Sequence, residues 1–268
     1  MESNNSATNL PPENPKIPIN LDTEFFKNQS RTRIRLPDYI NPEIAYLAGA
    51  LRDGCISKTE TRIGTKYYLA FCNTSYEWLD SVLKPLLEKL FDIRIAKPKP
   101  DSRPTKYQIR TRKHGIVNFV ARLFEHPIGK QINWNTPSWV MDSPDEIKRW
   151  YLRGFFDSEG GCSNVIKQQS KYPWQSTFFI GFYCSSNDKE CCVLQDVRNL
   201  LGEFGIEAKE IKKDLRKVKT GYNTRTNCFY FKITSKKDKL DFIRNIGSSN
   251  PGKYHNLVAL SRMIVFRG

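Results

Sequence analysis

Two acidic residues stand where an acid is out of place. Asp53 closes the segment Tyr46-Leu47-Ala48-Gly49-Ala50-Leu51-Arg52-Asp53-Gly54-Cys55, and Glu159 closes Leu152-Arg153-Gly154-Phe155-Phe156-Asp157-Ser158-Glu159-Gly160-Gly161-Cys162. Both segments read as apolar helices, so each carboxylate falls in a last turn against the negative end of a helix dipole. That costs about 0.3–1 kcal/mol unless a cation compensates. The second segment is a returning copy of the first, and pseudo-symmetry between the copies brings the two acidic ends together. Adjacent carboxylates repel unless they share a divalent metal, and hard oxygen ligands suit Mg²⁺, which keeps waters and accepts phosphate oxygens. The chemistry indicated is metal-assisted phosphodiester hydrolysis, in which the ion lowers the pKa of an attacking water and stabilises the leaving oxygen.

The elements that must position these acids recur in the same order after each copy. A strand-like run (Lys66 to Cys72; Ser176 to Cys184) precedes an amphipathic helix. Its apolar residues are Leu79, Val82, Leu83, Leu86, Leu87 and Leu90, answered by Val193, Leu194, Val197, Leu200, Leu201 and Phe204. Pro85 is expected to bend the first helix, and Gly205 to close the second as a left-handed cap. A further strand (Thr105 to Arg112; Asn227 to Thr234) leads to a helix around Phe119 or Phe242, and each half ends in a Gly-Lys pair, Gly129-Lys130 and Gly252-Lys253. The expected fold is α+β, a pseudo-twofold tandem repeat of αββαββα. Repeat 1 covers 41–143 and repeat 2 covers 144–268, joined near Ser143-Pro144-Asp145. Residues 1–40, with Pro11, Pro12, Pro15 and Pro18 and the basic triplet Arg31, Arg33 and Arg35, are expected to form a partly disordered arm.

With 43 Lys and Arg against 28 Asp and Glu the formal charge is +15, which favours a polyanionic partner, because cations that neutralise phosphates release condensed counterions. In Lys106-Tyr107-Gln108-Ile109-Arg110-Thr111-Arg112 the even positions are polar or basic, and Tyr107 and Ile109 alternate with them. One strand face is then core, and the other either tracks and reads a DNA duplex or is ordinary solvated surface. On this reading Lys66, Lys106, Gln108, Arg110, Arg112 and Lys232 are the candidate DNA contacts. The seven cysteines contain no Cys-x-x-Cys pair and the His residues are scattered, which disfavours zinc and suggests reduced core thiols. No apolar run approaches a membrane span and no secretory signal is expected, so the location expected is intracellular, cytoplasmic or nucleoid, with an organelle also open.

These features resemble the LAGLIDADG homing endonucleases in their monomeric, two-motif form. Leu152 to Gly160 matches the motif position for position, with Gly154 and Ser158 at the small helix-packing sites and Glu159 as the metal-binding acid. Aligned on its final Gly54, the first copy puts Ala48 at the packing glycine and Arg52 at a small site. Aligned on Gly49, it is one residue short. The resemblance implies two four-stranded sheets forming a saddle over double-stranded DNA, the motif helices packed at the interface, and Mg²⁺-dependent cleavage of both strands across the minor groove. It implies a metal site drawn from Asp53, Glu159, Gly54 and Ser158. It also implies a supporting base at the end of a later strand, here Lys113 in one half and Lys237 or Lys236 in the other, although these lysines equally suit solvated strand ends. A cleavage-inactive DNA-binding regulator or an intron RNA maturase is the alternative. An intein is disfavoured because Leu257 follows His255-Asn256, and an HNH nuclease because no His cluster exists.

Overall fold

The computed structural model describes residues 16–29, 33–62, 64–102, 105–129, 134–164, 178–186, 188–214 and 227–266. Arg31, Lys130 and Ser176, which entered the sequence reading, lie outside these. The described part of the expected arm is not loose. Strand β1 (Ile17–Pro18) pairs with β2 (Tyr39–Ile40), and between them lies helix α1 (Thr23–Asn28), capped by Asp22, which accepts from the Phe25 amide at 3.0 Å. Phe26, Ile34, Leu36 and Ile40 are buried, so from residue 16 the apolar side chains outweigh the prolines and dock this segment on the first half.

The first half then runs through α2 (Pro42–Ala50), a single 3₁₀ turn (Leu51–Asp53), β3 (Gly54–Thr61) and β4 (Gly64–Asn73). Asn41 caps α2 by accepting from the Ile44 amide at 2.9 Å, and Pro42 occupies a first-turn position where no N–H is needed. Helix α3 (Tyr76–Trp78) continues through a π turn (Leu79–Leu83) into α4 (Lys84–Phe91). The expected bend at Pro85 takes this form: proline cannot donate to the preceding turn, and the chain widens ahead of it instead of breaking. Strands β5 (Lys99–Pro100) and β6 (Tyr107–Thr111) and helix α5 (His114–Leu123) complete the half.

Helix α6 (Ser138–Met141) leads into the second half: α7 (Asp145–Glu159), β7 (Gly160–Cys162), β8 (Ile180–Ser186), α8 (Cys192–Glu203), β9 (Lys212–Asp214), β10 (Asn227–Ile233) and α9 (Lys236–Asn245). Gly205 follows α8 with φ +68°, the left-handed closure expected of it. Helix α10 (Pro251–Phe266) is added beyond the αββαββα repeat. The two four-stranded antiparallel sheets have the same order, β3-β4-β6-β5 and β7-β8-β10-β9, which is the pseudo-twofold relation in structural form. Leu69, Phe71 and Ile109 line the core face of the first sheet. Phe182 and Phe231, stacked at 5.0 Å, do so in the second. No described helix is long and apolar enough to cross a membrane.

The halves meet along α2 and α7. A Cβ on Gly49 would lie 2.2 Å from the Tyr151 carbonyl oxygen, and one on Gly154 would lie 2.1 Å from that of Tyr46. The reciprocal contact settles the alignment of the first motif: the packing residue is Gly49, not Ala48. The missing residue is absorbed by the 3₁₀ turn, which rises ~2.0 Å per residue against ~1.5 Å in an α-helix, so three residues climb about as far as four. Asp53 thereby reaches the end of its helix much as Glu159 reaches the end of α7.

Candidate active site

Each acid is the last helical residue before a strand, so the backbone turns away just where the carboxylate emerges. Asp53 Oδ2 accepts from Asn73 Nδ2 at 2.6 Å, and Oδ1 lies 3.4 Å from Lys106 Nζ. Burial raises the Asp53 pKa above the ordinary range, while Lys106, Asn73 and Lys253 pull it down. Burial pushes Glu159 up to about 8, and the neighbouring Asp53 charge adds to this, against Lys253 and Lys106. The two acids therefore titrate as a pair, each proton release opposed by the other charge. Glu159 also opens on a cavity of about 140 Å³ shared with Arg52, Trp134, Cys184 and Cys191.

Of the lysines that the resemblance implied, Lys113 precedes α5 and Lys236 and Lys237 open α9, while the lysines set against the two acids are Lys106 and Lys253. Lys113 is the half-buried residue before α5, its amide donating to Thr111 Oγ1 at 3.3 Å. Lys237 is exposed on α9, paired with Asp241 at 3.0 Å and Asp238 at 3.9 Å. The first-half cation is Lys106, one of the candidate DNA contacts, which just precedes β6 and turns its ammonium to Asp53. The second is Lys253, which sequence reasoning missed although the repeated Gly-Lys pair marked it. Its ammonium donates to the carbonyls of Phe156 and Asp157 at 2.8 Å each and of Ser158 at 3.3 Å. It is the cation that the dipole argument required at the end of α7.

Ser158 spends its hydroxyl on the seam, donating to the carbonyls of Phe155 at 2.9 Å and Gly49 at 3.2 Å, so its side chain belongs to helix packing. Gly54 opens β3 opposite Phe71, and a Cβ there would lie 2.6 Å from the Ala70 carbonyl oxygen. Arg52 does not disturb the seam: its guanidinium lies 3.9 Å over the Trp134 ring and donates to the carbonyls of Trp134 and, at 2.7 Å, Asn135. Two residues before Glu159, the buried Asp157 accepts from Tyr46 Oη at 2.7 Å, from the Ser249 amide at 2.8 Å and from the Ser248 hydroxyl. Tyr46 in turn accepts from Trp78 Nε1 at 2.8 Å. This chain of bonds ties the first half to the second beneath the acids.

The outer sheet faces carry the remaining candidates. Lys66 lies on the β4 face that register aligns with Gln108 and Arg110, and Arg110 and Arg112 are exposed. Gln108 Nε2 lies 3.4 Å from Asp101 Oδ1. In the second sheet Lys232 sits 4.0 Å over the Phe179 ring, beside the stacked pair Tyr183 and Tyr230. Basic groups interleaved with aromatics on an open sheet can hold phosphates and stack or read bases.

A divalent cation fits the acid pair: Glu159 receives no hydrogen bond among the described residues, burial raises the pKa of both carboxyls, and the Asp53 charge raises that of Glu159 further, a repulsion that a cation would relieve. Among the described residues no three of His, Cys, Asp and Glu converge as a closed cage, so such an ion would keep positions open to water and phosphate.

Two tandem α+β halves meet at a glycine-packed helix seam that brings one acid from each half together. Residues 146–247 match the family model of the LAGLIDADG-like domain. Homing endonuclease I-ApeI of Aeropyrum pernix is 30% identical over 127 residues, 46% of this chain and 52% of that protein, so the chain spans about half the length of this relative. Among solved structures, homing endonuclease I-DmoI in complex with DNA and Ca superposes with a TM-score of 0.55 at 15% identity, covering 81% of this chain and 97% of that one. An I-SmaMI variant gives 0.52 at 9% identity, covering 84% and 90%. These likenesses establish the shared fold over most of the chain.

Proposed function

We propose that the protein is a site-specific endonuclease that makes a double-strand break in a long DNA site, acting as a monomer with Mg²⁺. The observation that carries this reading is the convergence of one acid from each half, Asp53 and Glu159, with Lys106 and Lys253 as counter-charges. A divalent ion bound by these two carboxylates would activate water and stabilise the leaving oxygen at a phosphodiester. The chain's own residues do the rest. Asn73 and Lys106 orient Asp53, Lys253 caps the helix that ends in Glu159, and the sheet faces bearing Lys66, Gln108, Arg110, Arg112 and Lys232 bind and read the duplex. Arg52, the departure that leaves a non-cutting regulator or maturase open, is spent on Trp134 and Asn135, so the acid ends are not displaced by it. The relatives point the same way: I-ApeI is a homing endonuclease, and I-DmoI has been captured on DNA with Ca.

The test is incubation with a randomised duplex library and Mg²⁺, followed by sequencing of cut ends and repetition with Asp53→Asn and Glu159→Gln. Cleavage should vanish in both variants while DNA affinity stays within a few-fold, since the basic faces are untouched. Loss of binding as large as the loss of cutting would refute the assignment.

A further inference from the structure

A lysine ammonium has three N–H donors, and those of Lys253 are directed at three consecutive carbonyls, Phe156, Asp157 and Ser158, at the C-terminal end of the α7 backbone. Lys253 lies in the first turn of α10, whose start is held by the buried Asn250: its carbonyl accepts from the Tyr254 amide at 2.8 Å, and its Oδ1 from the Lys253 amide at 3.4 Å. The ammonium feels the carboxylates of Asp157, Glu159 and Asp53. With its donors committed, it has none left for a scissile phosphate. It acts as a fixed charge on the frame of the site.

We infer that Lys253 is a positioning residue for Glu159, using its three carbonyl bonds to fix the last turn of α7 so that the Glu159 carboxylate faces Asp53. Asp53 has direct side-chain partners in Asn73 and Lys106, whereas Glu159 has no hydrogen bond of its own among the described residues, so its direction depends on the backbone turn that carries it. Displacing a reacting group by about 1 Å can cost on the order of a hundredfold in rate. The inference rests on the proposed nuclease reading and deepens it, and it gives α10, the helix added to the second repeat, a task at the site.

The experiment uses the full chain and a duplex selected by the wild-type protein from the randomised library. Wild type, Lys253→Met, Lys253→Arg and Glu159→Gln are compared for single-turnover cleavage rate per folded molecule with Mg²⁺, and for DNA affinity and melting without metal. Lys253→Met is expected to cut at least about tenfold more slowly with DNA affinity within about threefold of wild type, and Lys253→Arg, which keeps charge and donors, to recover part of the rate. A methionine variant with a wild-type rate per folded molecule, or an arginine variant no faster than methionine, overturns the inference. A lowered melting point with an unchanged rate does the same, because it assigns Lys253 to stability alone. If Lys253→Met does not fold, Lys253→Gln is measured instead under the same criteria. If Glu159→Gln cuts like wild type, the nuclease reading itself fails, which is a separate outcome from failure at Lys253.

Discussion

Replacing Gly154 by alanine tests the seam on which both acids depend. The added methyl would sit 2.1 Å from the Tyr46 carbonyl oxygen and 2.9 Å from the Ala50 amide nitrogen, both backbone atoms of a helix that cannot swing aside as a side chain would. Non-bonded heavy atoms rest near ~3.5 Å, so α2 and α7 must part by about an ångström. Overpacking of this kind costs typically 1–3 kcal/mol, and this contact belongs at the upper end because backbone meets backbone. At about 2–4 °C per kcal/mol for a chain of this size, the melting midpoint should fall by roughly 5–10 °C. The same ångström separates Asp53 from Glu159, so cleavage per folded molecule should drop by about ten- to a hundredfold. Gly49→Ala, 2.2 Å from the Tyr151 carbonyl oxygen, should behave alike, and the double variant should cost less than the sum because both force the same two helices apart. Gly202→Ala is the control: it lies in α8 with nothing within 4 Å, and should gain about 0.4–1 kcal/mol. A Gly154→Ala protein that melts with the wild type and cuts at its rate would refute the seam as the determinant of acid spacing.

The acid pair sets a pH signature. Because the folded chain holds the Glu159 proton up to about 8 while an ordinary glutamate releases it near 4.5, metal-free stability should fall as pH rises across that window. Asp53 and Asp157, also raised by burial, add to the fall, Glu159→Gln should flatten it, and denaturant titrations across the window without metal would measure both. Over the same range divalent-ion affinity should rise with pH, since protons compete for the carboxylates; an isothermal titration showing the opposite slope would contradict the assignment of ligands. Tyr46→Phe removes one of the donors to the buried Asp157 and should cost about 1–3 kcal/mol in chemical unfolding, with less expected only if water replaces the hydroxyl. Arg110→Ala should lower DNA affinity with a salt slope reduced by about 0.9 if it meets phosphate, or discriminate single-base variants less well by about 1–3 kcal/mol if it meets a base; no change in either would turn this face away from DNA.

The repeat, the acids and the strand faces were legible because they are written in local periodicity: alternation around Ile109, i, i+3, i+4 spacing from Leu79 to Leu90, and an acid before glycine in both copies. The registration of the first motif was not, since Ala48 and Gly49 are both small and only a contact with the other half distinguishes them. The lysines divide the same way. Alternation assigned Lys106 a face but could not say that a flexible four-carbon stem would bring its ammonium back to Asp53. Lys253 reaches a helix end about a hundred residues earlier in the chain, a relation with no local trace beyond a repeated Gly-Lys. Lys237 at a strand end looked equivalent in sequence, but Asp241 one turn later on α9 claims it. The prolines of the N-terminal segment suggested looseness, but in its described part Phe26, Ile34 and Leu36 are buried, Phe26 against Phe119 of α5; Pro11, Pro12 and Pro15 lie outside the described residues.

The bond from Tyr46 to Asp157 marks the two halves as unlike. One lends a hydroxyl proton and the other receives it, and in the turn that corresponds to Asp157 the first half has Leu51 and Arg52 and no carboxylate, so a self-paired first half would leave Tyr46 without this partner. The two halves, alike in strand order, are in this way not interchangeable. Any recombinant that grafts this second half onto a foreign partner must carry over the tyrosine, with the Trp78 that steadies it, or bury an acid short of a donor. Inheritance of the two halves is thereby coupled through one hydroxyl group, at some distance from any surface that would read DNA.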